Sequence, residues 1–409
     1  LAASAAMVAP ATALAARILP PGDRYGGAAV DLSTNGRAIV AYEVSRPGPD
    51  LVRVAIRRAD RLNRPTVGHD IGRGTVELVR AGGVASGPHL VVWRRRTELV
   101  TSVLTRGRWR VERLPAEVRS FHALGAAIAG SRVVVVAGDA HNAVAVVRTA
   151  PGKWVSRPLP AGPQRDDLVA RASEPSGRVV AVWREDAVAG PSVAAASFDP
   201  GALAWAPPAT LVAPGGVPDP VPDDLYVNGR GDAALSVVTG RRFTGTPPGA
   251  AVVRLLPALS ATWTAPPDVT VPASEPGVLQ VAVTPAGVPL YARRGGGVRV
   301  AFLSGAAWGP EVVAWTGPRD PDAGELFAVD DLAVAEGGRV VASVAVDPGP
   351  GPDDHVFLVR APSGGAWRVT PPFASLYGAP QLIVGGRRVA ASWVEDASAS
   401  GLPEAVLAP

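Results

Sequence analysis

The sequence predicts an all-β chain in which a four-stranded unit repeats around a ring, and three observations carry that reading. First, a turn containing Gly and followed by a run of small and β-branched residues recurs eight times, in NGRAIVAYE, SGPHLVVWR, GSRVVVVAG, SGRVVAVWR, NGRGDAALS, AGVPLYARR, GGRVVASVA and GGRRVAASW. The anchor glycines are Gly36, Gly87, Gly130, Gly177, Gly229, Gly287, Gly338 and Gly386, a spacing of 43 to 58 residues, which is the length of one propeller blade. Second, Trp109, Trp154, Trp205, Trp263, Trp308 and Trp367 each follow a turn and precede a short Pro-bearing strand. Third, 46 Gly and 42 Pro in 409 residues supply many turns, while no apolar stripe of helical period runs for a useful length. The prediction is a β-propeller of eight four-stranded blades, with seven as the alternative count.

Each element of a blade has its own justification. The first two strands of a period are nearly continuous Val, Ala and Leu, as a sheet buried on both faces requires. A third run such as VRVAIRR or NAVAVVRT follows a variable loop. Pro collects in the fourth strand, at Pro115, Pro158, Pro160, Pro207, Pro266 and Pro371, where an outer edge tolerates a missing N–H. The six tryptophans are expected to fill the widening gap between blades near the rim.

The start of the chain supplies the closure. In GRWRVERLP and GKWVSRPLP, Leu114 and Leu159 stand 16 and 18 residues before their next anchor glycines, and in ARILP Leu19 stands 17 before Gly36. Residues 16–20 thus read as a fourth strand without a blade, while the last period supplies only three runs. The N-terminal strand is expected to complete the final blade, making residues 16–409 one propeller domain.

Composition narrows the function classes. Apolar residues make up 47% and charged ones 19%, enough for a large core. The net charge is only +4, and Arg is interspersed with Asp and Glu rather than gathered on one face, which argues against a nucleic-acid partner. With no Cys, disulfides and thiolate-rich zinc sites are excluded. Residues 1–15, LAASAAMVAPATALA, are apolar and end in Ala13-Leu14-Ala15, the small-x-small pattern of a signal peptidase site. They are expected to be a truncated signal peptide, and the mature chain a secreted or cell-envelope monomer without a membrane span.

The cadence of Gly turn, apolar run and Trp turn resembles exported bacterial β-propellers of the broad sialidase-like and BNR-repeat type. The resemblance spans residues 16–409 and implies fold rather than activity. The sialidase Ser-x-Asp-x-Gly-x-x-Trp turn occurs in no copy: the Trp turns read TRGRWR, APGKWV and SGGAWR. No catalytic residue is carried over.

Few residues single themselves out chemically. His69, His89, His122, His141 and His355 are spread along the chain without metal-type spacing, and Arg230-Gly231-Asp232 reads as a hairpin turn. One constellation stands out, an acidic pair at the first strand of three blades: Asp166 and Asp167, Asp223 and Asp224, Asp330 and Asp331. Placed before the innermost strand, these carboxylates would ring one mouth of the central channel, together with second-to-third-strand loops carrying Asp347, Glu395 and Asp396 and, in opposition, Arg94, Arg241, Arg242 and Arg293. Such a mouth suits a cationic or hydroxyl-rich ligand, or a hard divalent ion such as Ca²⁺ as the one cofactor candidate. The plainer reading is that Asp satisfies backbone N–H groups at strand ends. The expected function is a non-catalytic partner-binding propeller, its ligand an envelope glycan, a protein or a small molecule. The alternative is a glycan-active hydrolase or lyase using the mouth carboxylates, with Arg holding an acidic sugar.

Overall fold

The computed structural model describes residues 14–408 except 18–24, 36, 46, 59–67, 83–86, 161–164, 174–175, 217–218, 240–250, 259, 270–278, 321–323, 326, 347–352, 362–363, 371, 376–380 and 395–402. Within them, eight antiparallel sheets of three to five strands follow one another along the chain, numbered 1 to 8 here, besides a two-stranded ribbon of Arg319–Asp320 with Gly324–Glu325. Their first strands are Tyr25–Leu32, Thr75–Arg80, His122–Ala129, Arg165–Ala172, Pro220–Val227, Gln280–Val283, Phe327–Val334 and Gln381–Gly385. These touch in succession, sheet 1 to sheet 2 and onward to sheet 8, and the strand of sheet 8 meets that of sheet 1. The circuit is closed, and the first strands surround its axis.

The core is divided among the joints of this ring. Seven buried clusters lie between successive sheets, from sheets 1 and 2 to sheets 7 and 8. The second strand of sheet 4 shows why its sequence is apolar throughout. Val179, Ala181 and Trp183 pack toward sheet 3, whereas Val180 and Val182 pack toward sheet 5, so alternation with polar residues has no place there.

The Gly turns are the hairpins between first and second strands. Between Ala129 and Arg132 a two-residue turn places Gly130 at φ +62°, a backbone conformation Gly adopts without a Cβ penalty. In sheet 5 the left-handed position falls to Gly231, at φ +90°, and not to the anchor Gly229.

All six tryptophans are half-buried, each against the cluster its own sheet shares with the preceding one. Three of them also cross that joint with the indole N–H: Trp154 to Glu112 at 3.0 Å, Trp205 to the Arg157 carbonyl at 2.9 Å and Trp308 to the Pro267 carbonyl at 2.8 Å. Beside Trp154, Arg148 and Glu112 form a bidentate ion pair at 2.8 and 2.6 Å, both side chains buried.

The fourth strands depart from the expected regularity. In sheets 4, 6 and 7 two short pieces pair with the third strand in place of one: Ala204–Trp205 and Ala209–Val212, Ala307–Trp308 and Val312–Trp315, Arg368–Val369 and Phe373–Ser375. In sheet 5 only the bridges Leu255–Thr264 and Ala251–Val269 remain. Pro lies between the two pieces every time, as Pro207-Pro208, Pro266-Pro267, Pro310 and Pro371-Pro372, and a residue without an N–H cannot carry the ladder through.

The N-terminal strand Leu14–Arg17 pairs antiparallel with Pro403–Ala408, in the register Leu14 with Leu407 and Arg17 with Glu404, as the outermost strand of sheet 8. It begins two residues inside the segment read as a leader. Ile18, Leu19 and Pro20, which identified the phrase, lie outside the described residues.

Candidate functional site: the central channel

The first strand of a propeller sheet is an edge strand, with one side unpaired along the channel. Its N–H groups need acceptors, and carboxylates on neighbouring first strands provide them. Asp31 accepts the N–H of Ala81 at 2.7 Å, Glu77 that of Ala123 at 2.7 Å, Asp224 that of Val281 at 2.9 Å and Asp331 that of Leu382 at 3.0 Å. Each bond runs from one sheet to the next around the ring. Tyr226 reaches further: its hydroxyl donates to the Val334 carbonyl at 3.2 Å, from sheet 5 past sheet 6 to sheet 7.

The acidic pairs therefore sit inside the first strands, not ahead of them. The register shifts at these points, between Asp166 and Val169, Pro222 and Asp224, and Val329 and Asp331. The extra residue of such a bulge turns out of the ladder, so the two members of a pair have different surroundings. Asp224 and Asp331 line the channel, whereas Asp167 is exposed at φ +51° and does not. Asp166 lies 3.1 Å from His141 Nδ1, and Asp330 lies 3.2 Å from Nδ1 of the buried His355.

The predicted arginines are not brought together. Arg94 holds Glu77 at 2.7 Å and donates to the Phe121 carbonyl at 2.6 Å, which makes it part of the joint between sheets 2 and 3. Arg293 pairs with Glu311 at 2.6 and 2.8 Å and is not among the residues that line the channel. Arg241, Arg242, Asp347, Glu395 and Asp396 lie outside the described residues.

A cavity of about 820 Å³ occupies the channel. It extends from Glu77, Asp224 and Asp331 to the first-to-second-strand turns at Thr34, Arg230 and Gly386. It thus reaches the end of the ring opposite the loops on which the sequence placed the mouth. Its charged lining comprises Asp31, Glu77, Asp224, Asp331 and Glu336 against Arg80, Arg171 and Arg230. Burial is the main force on the carboxyls: it pushes Asp224 up to about 7, helped by the nearby Asp331 and opposed by the Val281 N–H and Arg171. Asp331 and Asp31 are raised for the same reason. Arg80 is tied to the carbonyls of Ala126 and Val79 at 2.7 and 2.8 Å. Arg171 makes a single 3.4 Å hydrogen bond, to the carbonyl of its neighbour Ala170.

Asp31, Glu77, Arg80, Arg171 and Tyr226 escaped the sequence reading. The available signal was one or two charged or phenolic residues inside a strand otherwise suited to burial, as in AAVDL, TVELVR and LVARA. Among the described residues, no group of three or more His, Cys, Asp or Glu is placed to hold a metal ion, and no helix is long and apolar enough to cross a membrane.

The Dos1 propeller has a similar structure, with a TM-score of 0.53 at 11% identity over 96% of this chain and 95% of that one. The fold is a β-propeller. The Hadza microbial sialidase Hz136 (TM-score 0.40, 14% identity, 96% and 95% coverage) and YCF48 bound to D1 peptide (0.44, 13%, 82% and 94%) also match. At these identities the likeness is one of fold, the level at which the sequence resembled sialidase-like propellers. No protein-family model and no curated protein matches the chain.

Proposed function

We propose that the protein is an exported, non-catalytic binding propeller whose ligand enters the central channel. The observation that carries this reading is the cavity of about 820 Å³ lined by both signs of charge, a size typical of small-molecule and saccharide pockets. The surrounding strands are hydrogen-bonded to one another through Asp31, Glu77, Asp224 and Asp331, which serve as acceptors for backbone N–H groups of the next sheet. Export rests on the Ala-rich leader ending in Ala13-Leu14-Ala15. The ligand classes are an envelope glycan, a terminal segment of a protein, or a free small molecule.

The test is an array of envelope-glycan fragments, peptides and metabolites probed with the folded protein and with Asp224→Asn/Asp331→Asn, its fold checked by circular dichroism. Saturable binding that weakens in the variant is expected. Binding of equal strength in both proteins would remove the channel from the account.

One observation favours a second reading. A carboxyl at about 7 beside another carboxylate has the protonation needed for general acid work near neutral pH, as a glycan hydrolase or lyase would require. Time-dependent release of product from an array member, lost in Asp224→Asn, would establish that reading in place of the first.

A further inference from the structure

We propose that the channel recognises a small zwitterion, with an anionic group on the Arg171 guanidinium and an ammonium group toward Asp224 and Asp331. The inference rests on the channel being the ligand site and specifies what that site selects.

Arg171 stands out among the channel cations. Arg80 is braced by two carbonyls, but the Arg171 side chain, exposed into the cavity, has only the long contact with Ala170. Most of its five donors are therefore open, in the planar fork that matches a carboxylate or phosphate. Its charge acts on both Asp224 and Asp331, yet it forms an ion pair with neither. The guanidinium and the two carboxyls thus line one cavity without pairing with one another.

Charge selection follows from this arrangement. A simple anion on Arg171 meets the charges of Asp224 and Asp331, and a simple cation at the two aspartates meets Arg171. Either leaves one set of charges repelled or unpaired in the channel. A ligand carrying both charges answers each wall with its complement. The aspartates can receive an ammonium without giving up their structural bonds. The Val281, Leu332 and Leu382 N–H groups occupy part of their capacity, and a carboxylate offers about four lone-pair sites.

The experiment is calorimetric titration of the full chain at pH 8, above the value of about 7 to which burial raises Asp224, with matched probes: 4-aminobutyrate and phosphoethanolamine as zwitterions, butyrate as the anion, and butylamine as the cation, at one ionic strength. At least one zwitterion is expected to bind roughly tenfold or more tightly than the single-charge probes. Arg171→Gln should reduce that zwitterion to the affinity of butylamine, and Arg171→Lys should retain part of the preference, which separates loss of charge from loss of fold. Equal binding of zwitterionic and single-charge probes, or a preference unchanged in Arg171→Gln, overturns the proposal. If no probe binds while an array ligand still binds in a manner sensitive to Asp224→Asn/Asp331→Asn, the zwitterion inference fails and the channel remains the site.

Discussion

The Asp224 carboxylate in sheet 5 accepts the backbone N–H of Val281 in sheet 6 at 2.9 Å. Val281 is fully buried, so this N–H has no recourse to water if the carboxylate is removed. Asp224→Ala should cost about 1–3 kcal/mol, the penalty of an orphaned buried donor. Asp224→Asn keeps an acceptor oxygen and should cost less. Chemical denaturation of the three proteins at pH 5 ranks them.

The same residue gives a pH dependence of defined sign. Asp224 is raised from 3.8 to about 7 in the folded chain, so the native state holds a proton that the unfolded state has released across that interval. The stability this confers is complete below pH 3.8 and is lost as pH rises through 7. Wild type and Asp224→Asn should therefore differ least below pH 3.8, with the balance moving in favour of Asn as pH rises toward 7 and holding above it. The difference between them isolates Asp224, because His89, pushed down to about 4 by burial, contributes an opposite slope below pH 6.5 to both. A difference in melting temperature that does not change with pH would contradict the assignment.

The buried pair Arg148–Glu112 joins sheet 2 to sheet 3. Glu112→Gln strands the Arg148 charge among apolar neighbours and should cost about 3–5 kcal/mol. Glu112→Leu/Arg148→Met, which removes both charges, should recover much of that loss. Urea midpoints measure both, and a double variant no better than the single would show that the pair supplies more than mutual neutralisation.

How the sequence conveyed these features differs with their range. The hairpin turns and two-sided second strands follow from local chemistry, Gly at φ > 0 and unbroken apolar runs, and both could be read directly. The Asp pairs were visible, but their place within a bulge depends on which residues oppose them in the neighbouring strand. Arg293 was assigned to the mouth because its partner Glu311, eighteen residues on, is brought to it only by the folded sheet. Arg171 went unnoticed because one Arg in an Arg-rich chain carries no signal until the ring brings it into one cavity with Asp224 and Asp331. The divided fourth strands were legible in principle, since each break coincides with Pro.

At the rim, Trp308 stacks edge-on against Tyr291 with ring centroids 4.8 Å apart and donates to the Pro267 carbonyl. Trp308→Phe keeps the ring and loses the hydrogen bond, and should cost about 1 kcal/mol. Trp308→Ala also opens the joint between sheets 5 and 6, and should cost about 3 kcal/mol. Equal costs for the two would mean that the indole N–H and not its packing matters there.

The ring is clasped by its first strand lying against its last sheet, where Ala16, the first residue beyond the leader, pairs with Ala405. The chain contains no Cys, so Ala16→Cys/Ala405→Cys places two thiols in an otherwise thiol-free protein. Mild oxidation, followed by mass spectrometry of the peptides and by thermal melting, reads the outcome directly. Closure as described predicts a quantitative intramolecular disulfide and a melting temperature raised by an amount corresponding to roughly 2–4 kcal/mol. Two free thiols that react independently, in a protein whose melting is unchanged, would contradict the closed ring and with it the channel on which the functional proposal depends.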